Sequence, residues 1–217
     1  MQENKTSQVR ELICINVDKV YDWIMKELTF ELTPQGAVSF PTLPPTVDLT
    51  NASIQCNVVP APTNPVVILN RENRCFTMGG KNVTMQQLTI QKNFVVTITV
   101  RTANCVVYES APFNISRCEQ ITLCAPHGTD VSVTYTDLDC FVCSTGAITP
   151  DFPPGGTPTI TFSNLSITVS VCQSIQSTFP VTVEFLAEYC EPRADIVTGC
   201  SQAARPQKCG NIFPSSC

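Results

Sequence analysis

Cysteine is the residue type in this sequence with the widest range of chemistry. The chain of 217 residues contains 13 cysteines and one histidine. Four of the cysteines lie between residue 190 and the last residue, 217. Thiols can form disulfides, bind metals or act as nucleophiles. Because 13 is an odd number, at least one thiol is left unpaired or is joined to another chain.

The C-terminal segment, residues 191–217, is rich in proline and glycine and has few large apolar residues. Disulfides closing loops between its cysteines and Cys190 would each stabilise the segment by roughly 2–3 kcal/mol. The alternative is that its thiols reach other subunits, since accessible thiols exchange readily. We therefore assign Cys200, Cys209 and Cys217 as candidates for intermolecular disulfides.

Metal binding and catalysis have weaker support in the sequence. A structural zinc site needs about four ligands at short paired spacings, and the one such pair is Cys140 and Cys143. The segment after Cys143 is rich in proline and glycine, which argues against the helix that a thioredoxin-type dithiol requires. His127 lies in a turn-like segment, and the chain has no GxSxG motif. We predict no enzyme activity, no metal and no cofactor.

The overall composition argues against several classes of partner. The formal net charge is -5, whereas binding to nucleic acid phosphates requires a basic surface. No stretch approaches the ~20 apolar residues of a membrane span. We therefore expect no nucleic acid, no membrane and no small-molecule substrate. The N-terminus lacks the pattern of a secretory leader, so we expect synthesis in a reducing cytosol, although the cysteine content suits an oxidising environment.

Alternation with a period of two dominates the middle of the chain, as in half-buried strands. Residues 179–189 and 165–172 both place apolar side chains at every second position. The pattern predicts an all-β protein with an antiparallel β-sandwich or jelly roll over residues 31–190, and it is compatible with two stacked halves that meet near residue 112. Residues 1–30 are predicted to form an N-terminal arm, in which residues 18–28 also fit a short amphipathic helix. Residues 191–217 are the tail.

Most of the cysteines lie within the predicted sandwich. A chain this long can bury roughly 70% of its unfolded surface, so its core does not depend on disulfides. Cys172 falls on the Ser/Thr face of its strand, which predicts an outward thiol and an intermolecular role. The remaining candidates for intrachain disulfides are Cys56, Cys75, Cys105, Cys118, Cys124, Cys140, Cys143 and Cys190.

Five Asn-x-Ser/Thr sequons support a different interpretation. They lie at Asn4, Asn51, Asn82, Asn114 and Asn164. In a secreted protein such sequons are surface glycosylation sites. The alternative function is therefore an extracellular or viral glycoprotein binding domain with intrachain disulfides, from which a leader has been removed.

The stretch VRELICINVDKVYDWI, residues 9–24, resembles cysteine-rich proteins of the Bacillus endospore surface, including the endospore appendage group. The resemblance implies a jelly-roll subunit that is made in the mother cell and assembled on the exosporium, the coat or its fibres. It also implies disulfides between subunits and with other cysteine-rich spore-surface proteins, formed once lysis exposes the protein to air.

One departure from the appendage pattern concerns the N-terminal arm. Appendage subunits carry closely paired cysteines there, whereas this arm has only Cys14. By the resemblance, Cys14 is a further candidate for an intermolecular disulfide. The departure favours an anchoring, basal or capping component over the main fibre subunit.

Overall fold

Strands alone form the regular structure in residues 11–187, the part of the chain that this computed structural model describes. The strands are β1 (Glu11–Leu32), β2 (Val38–Ser39), β3 (Ser53–Pro60), β4 (Val66–Met78), β5 (Lys81–Arg101), β6 (Val107–Glu109), β7 (Phe113–Leu123), β8 (Asp130–Ser144), β9 (Ile148–Asp151), β10 (Thr159–Phe162) and β11 (Ser166–Ala187). The predicted all-β class with antiparallel sheets is confirmed, and the sheets are consistent with a β-sandwich. The jelly-roll arrangement stays a prediction.

The strands form three sheets. One has the order β1-β11-β8, and a small one has the order β2-β10-β9. In the five-stranded sheet, the long strand β5 pairs with all four others. β4 and β3 pair with successive halves of β5, while β7 and β6 pair along its other edge. β5 is thus the central strand of that sheet.

Contacts divide the chain into two compact units. Residues 16–183 form one unit, and residues 11–15 and 184–187 are the described part of the other. Strands from both sides of residue 112 share sheets, since β5 pairs with β7 and β2 with β10. The predicted division near residue 112 therefore does not coincide with a boundary between sheets.

The segment that also fitted a short helix, residues 18–28, is part of strand β1. From residue 22 onward its burial alternates: Ile24 and Leu28 are partly covered, and Trp23 and Met25 are exposed. Strand pairing with β11 satisfies the backbone groups that a helix would have paired internally. The helix is therefore not formed, and strand structure extends through residues 11–30 of the predicted arm.

Apolar side chains fill the space between the sheets in two clusters. The larger contains Phe94, Val96 and Ile98 of β5 together with Ile167 and Val169 of β11. The smaller is built from residues further along the same strands, from β7 and from the turn after it: Leu88, Ile90, Ile121, Leu123, Ala125 and Ile175. From Gln86 to Val100, alternate residues of β5 point inward, so one strand contributes to both clusters.

Polar contacts close the end of the sandwich beside the smaller cluster. The Arg71 guanidinium donates to the carbonyl oxygens of Pro126 (2.9 Å) and Thr129 (3.2 Å) in the β7–β8 turn. The Asp22 carboxylate of β1 accepts a hydrogen bond from the Cys124 backbone N–H at 2.7 Å. These bonds hold the turn, which also carries the exposed His127, against β4 and β1.

Candidate functional site

One disulfide joins the two larger sheets. Cys56 of β3 is bonded to Cys140 of β8, with their Cα atoms 5.9 Å apart. Cys140 is a buried member of the larger apolar cluster, and Cys56 packs partly buried against it. Both were predicted as candidates for intrachain pairing, and here they pair with each other. The bridge therefore acts within the sandwich.

Seven further cysteines carry free thiols in the described part of the chain. Cys124 and Cys172 are partly buried, and the exposed ones are Cys14, Cys75, Cys105, Cys118 and Cys143. The intrachain assignment of Cys75, Cys105, Cys118, Cys124 and Cys143 stays a prediction. Cys190, Cys200, Cys209 and Cys217 lie outside the described residues.

Two of these thiols lie on the outer face of the β1-β11-β8 sheet. Cys172 shares the polar side of β11 with Ser170 and Ser174 and is not part of either core cluster. Cys143 is exposed on β8, with its sulfur 3.0 Å from the Thr168 hydroxyl. The sequence reasoning about Cys172 thus matches its position in the sheet, although a register shift follows it directly.

The two cysteines of the Cys-x-x-Cys motif point to opposite faces of strand β8. Cys140 points into the core, whereas Cys143, three positions further, points outward, as expected when successive side chains alternate. The two sulfurs therefore do not face a common metal. Residues 11–187 contain no group of three or more His, Cys, Asp or Glu side chains arranged to hold a metal ion.

Strand register keeps several free thiols apart. Cys172 lies opposite Asp137, and residues 137–143 of β8 span about 20 Å at ~3.3 Å per residue, which separates Cys172 from Cys143. Residues 118–123 of β7 span about 17 Å, which separates Cys118 from Cys124. A disulfide requires Cα atoms within ~7 Å. Neither pair can form within this fold.

Two exposed thiols lie at opposite ends of the central strand. Cys75 is opposite Thr84, near the β4–β5 turn. Cys105 lies in the turn beyond Arg101, with a positive φ of 63° and its backbone N–H donating to the Thr102 carbonyl at 2.9 Å. Residues 84–101 of β5 span about 56 Å at ~3.3 Å per residue. Thiols are therefore available at both ends of the five-stranded sheet.

Strand β1 is an edge of its sheet and exposes large apolar side chains. Tyr21, Trp23 and Met25 on its outer face are 40%, 54% and 56% exposed. The Trp23 indole N–H donates to the Ser174 hydroxyl at 2.6 Å, which holds the ring over β11. A long apolar edge of this kind can pair with another strand.

A cluster of charged and polar side chains lies buried between the two apolar clusters. The amine of Lys92 on β5 and the amide nitrogen of Gln173 on β11 both donate to one oxygen, Oε2, of Glu119 on β7. The Gln173–Glu119 distance is 3.1 Å. Lys92 and Gln173 are both 0% exposed, and Glu119 is also buried. The other carboxylate oxygen of Glu119 forms an ion pair with Lys26 of β1, which is partly exposed.

Burial and charge shift the pKa values in this cluster. Burial lowers the pKa of Lys92, and the neighbouring Glu119 carboxylate offsets this only in part. For Glu119, burial raises the pKa, but hydrogen bonds from Lys26, Lys92 and Gln173 together with the charge of Lys92 bring it below its ordinary value. Burial, and secondarily the charge of Glu119, raises the pKa of Tyr135 to about 12. The tyrosine is therefore a neutral hydroxyl at ordinary pH.

Apart from Glu119 Oε1, which lies in the ion pair with Lys26, three buried polar atoms around this cluster have no hydrogen-bond partner among the described residues. They are the carbonyl oxygen of Gln173 and the hydroxyls of Tyr135 and Ser177. Gln173 and Tyr135 are directly opposite each other on β11 and β8. Buried polar atoms are nearly always paired in folded proteins, so these three atoms are notable as unused hydrogen-bonding groups around Lys92 and Glu119.

Sequence reasoning missed this cluster, although a signal was present. The inward positions of β5 read Leu88, Ile90, Lys92, Phe94, so a lysine interrupts an apolar face. Gln173 interrupts the inward face of β11 in the same way, between Val171 and Ile175. A polar residue at a predicted core position of several strands predicts a buried network, because isolated buried charges are too costly.

Comparison with known proteins gives no assignment. No family model, curated protein or solved structure matches the chain. Among residues 11–187, no helix has the length and apolar character needed to cross a membrane. Function is therefore inferred from the geometry of the thiols, the sheet edge and the buried cluster.

Proposed function

We propose that this protein is a non-enzymatic structural subunit of the bacterial spore surface, which associates with copies of itself and is cross-linked by intermolecular disulfides. The observation that carries the proposal is the distribution of free thiols. Five are exposed: four on different strands and Cys105 in the turn after β5, so that thiols lie near both ends of β5. Thiols placed in several directions can join one molecule to several neighbours.

The internal disulfide supports a division of roles among the cysteines. Cys56–Cys140 already links the two sheets across the larger apolar cluster. Exposed thiols such as Cys118 and Cys143 contribute nothing to that core. Because an accessible thiol can exchange with a disulfide on another chain, these cysteines suit contacts between subunits.

Edge pairing would bring subunits together before any disulfide forms. The outer face of β1 exposes Tyr21, Trp23 and Met25 at the edge of its sheet. An added strand from a second copy would pair with the backbone groups of β1, and its own side chains would pack beside these three. Disulfides between exposed thiols would then make the association irreversible without reductant.

The proposed location and partners follow from the resemblance of residues 9–24 to endospore surface proteins. The subunit would be made in the mother-cell cytoplasm, assembled with itself and other cysteine-rich proteins on the exosporium, coat or appendages, and oxidised after lysis. Cys14 is exposed and free, as an intermolecular role requires. The jelly-roll topology of that class is part of this proposal.

The test is disulfide mapping on a mixture of isotope-labelled and unlabelled full-length protein that has been reduced, combined and oxidised in air. Intermolecular bridges yield linked peptides in which one half carries the label. We expect such mixed peptides for the exposed cysteines, and same-label peptides for Cys56–Cys140. On gels, a high-mass species should collapse to the 23.7 kDa monomer only with reductant.

A matched pair of variants separates the two roles. Replacing Cys75, Cys105, Cys118 and Cys143 with serine should reduce the high-mass species, while replacing Cys56 and Cys140 should leave it in place. Same-label peptides alone, with twelve cysteines bridged inside each chain, would overturn the proposal. The same gel on material extracted from spores tests the location, since the proposal requires the high-mass form there.

The alternative glycoprotein domain is favoured by one observation. All four sequon asparagines in the described residues are exposed: Asn51, Asn82, Asn114 and Asn164. Glycans mapped to these positions in protein from its native source would support that alternative. Unmodified asparagines in spore extracts would support the structural subunit.

A further inference from the structure

We propose that Lys92 and Gln173 become joined by an isopeptide bond across the sandwich, with Glu119, which contacts both side chains, transferring the protons. This inference goes beyond the proposed function and does not depend on it. It concerns a covalent modification inside one molecule, whereas the proposed disulfides join different molecules.

The three side chains meet on a single atom. Lys92 Nζ and Gln173 Nε2 both donate to Glu119 Oε2. Two donors that share one acceptor lie within about 6 Å of each other, since each bond is roughly 3 Å long. The proposed reaction requires side-chain rotations that bring the lysine nitrogen from this position to the carboxamide carbon. The nucleophile Lys92, the electrophile Gln173 and the proton carrier Glu119 therefore come from three different strands and meet in the interior of the sandwich.

Burial shifts Lys92 toward the reactive, unprotonated form of its amine. An amine attacks a carbonyl carbon only when it is unprotonated, and burial lowers the pKa of Lys92. Glu119 is adjacent and can accept the proton that the ammonium group loses. Transfer from Lys92 to Glu119 replaces two buried charges with a neutral amine and a neutral carboxyl group.

The Gln173 carboxamide, the electrophile of this reaction, lies opposite a hydroxyl that can donate to its oxygen. The Gln173 carbonyl oxygen and the Tyr135 hydroxyl are both buried without partners, on residues directly opposite each other in the β11–β8 pairing. Attack on the carboxamide places negative charge on that oxygen. A neutral tyrosine hydroxyl can donate to the oxygen and stabilise the charge. The two unpartnered atoms thus complement each other in the reaction.

The step balances without any further reactant. The amine nitrogen of Lys92 forms a bond to the Gln173 side-chain carbon, giving a tetrahedral intermediate. Glu119, protonated by the transfer from Lys92, delivers its proton to the departing amide nitrogen and takes one proton from the attacking nitrogen. The carbon–nitrogen bond of the carboxamide breaks, and ammonia leaves with the remaining proton of Glu119, which returns to a carboxylate. No oxidation or reduction occurs, and the product is a secondary amide.

In water an amine reacts with a carboxamide very slowly, and holding the reacting side chains next to each other accelerates the reaction. Groups held in reacting geometry reach effective concentrations of about 10⁵–10⁸ M, and a positioned acid–base group contributes a further ~10²–10⁴-fold. Hydrolysis of the product is disfavoured because the site is enclosed by apolar residues of both clusters, including Ile90, Phe94 and Ile175. Ammonia would leave past Lys26, the partly exposed partner of Glu119.

The product would join β5 to β11, the central strands of the two facing sheets. Cys56–Cys140 already links these sheets through β3 and β8. Reductant opens a disulfide but leaves an amide intact. The sandwich would therefore remain covalently closed under conditions that separate the subunits.

Peptide mapping of the fully reduced wild-type chain tests the inference directly. Trypsin does not cleave after an acylated lysine, so residues 82–101 should remain one peptide, joined to the fragment that contains Gln173. A second protease trims that fragment for sequencing by mass spectrometry. The linked pair should weigh less than the sum of its parts by one ammonia. Peptide-level mapping is needed because Gln2, if exposed by loss of Met1, also releases ammonia on cyclising.

Variants separate the chemistry from the fold. Gln173→Met and Glu119→Gln should restore cleavage after Lys92, and Gln176→Met, at a partly buried glutamine of the same strand, should leave the link in place. Recovery of the wild-type chain with normal cleavage after Lys92 and an intact Gln173 amide overturns the inference. That measurement uses the wild-type protein, so poor folding of a variant cannot obscure it.

Discussion

The interior of the sandwich and its outer faces contain the same reactive residue types in opposite states. Inside, Cys140 is buried and bonded to Cys56. Outside, Cys118 and Cys143 are free and exposed. The side to which a strand position points decides which state a cysteine takes, because successive side chains alternate. Burial thus separates thiols that maintain the fold from thiols available to neighbours.

Carboxylates show the same contrast. Glu119 on the inner face of β7 is enclosed and contacts two lysines and a glutamine. Glu109 on the neighbouring short strand β6 is exposed. A buried carboxylate requires such partners, since desolvation of an unpaired charge is costly. An exposed one is solvated by water and has little effect on stability.

The largest effect is expected from breaking the inner disulfide. Replacing Cys56 and Cys140 with alanine opens a loop with a sequence separation of 84, which corresponds to about 4.5 kcal/mol of unfolding free energy in the chain-entropy model. Urea unfolding without reductant, followed by tryptophan fluorescence, measures the loss. Wild-type protein in reductant should lose stability in the same direction.

The matched control lies on the outer face. Cys118→Ser should change the unfolding free energy by no more than about 0.5 kcal/mol, as is usual for exposed positions. A loss at Cys118 as large as that at Cys56 would contradict the division between inner and outer cysteines.

Removing the inner carboxylate should have the next largest effect. Glu119→Ala leaves Lys92 without its carboxylate partner at 0% exposure, and such changes cost about 3–5 kcal/mol. We expect the lower end, about 3 kcal/mol, because the neighbouring Lys26 is partly exposed and lets water approach. Glu109→Ala should cost no more than about 0.5 kcal/mol. Similar unfolding free energies for the two variants would show that the cluster does not stabilise the sandwich.

The sequence predicted the class of fold because period-two patterns report directly on sheet faces. The inward residues of β5 and β11, such as Phe94, Val96 and Ile167, follow that pattern. The interpretation was less certain in β1, where Val20, Ile24 and Leu28 fit both helical and strand periods. Pairing with β11 decides between them, and that is a long-range contact which local spacing does not encode.

The thiol sites and the buried cluster were predictable only in part, because local spacing does not encode long-range contacts. The outward position of Cys172 follows from its own strand, so the pattern identified it. The Cys56–Cys140 bridge and the contact of Lys92 and Gln173 with Glu119 join strands that are distant in sequence. Their pairing depends on how the two sheets face each other. The sequence could show that Lys92 interrupts an apolar face, but not which residues it would meet.

The smallest effect, and the one most specific to the buried cluster, is a dependence on pH. Burial alone raises the pKa of Glu119, but its hydrogen bonds with Lys26, Lys92 and Gln173 and the charge of Lys92 lower it below the ordinary value of 4.5. A carboxyl group whose pKa is lower in the folded state stabilises the fold fully above its unfolded value, and this contribution disappears as the pH falls through the folded value.

The wild type should therefore lose stability relative to Glu119→Gln as the pH drops from ~6 to ~3, because the amide does not titrate. Urea unfolding of both proteins across this range measures the difference, and the other carboxylates, common to both, cancel. A link between Lys92 and Gln173 would remove two of the contacts that lower this pKa and leave Lys26 as the charged partner of Glu119, so the expected difference is smaller in linked protein. A difference that stays constant or grows toward low pH would mean that Glu119 is not an ion-paired carboxylate in the folded protein.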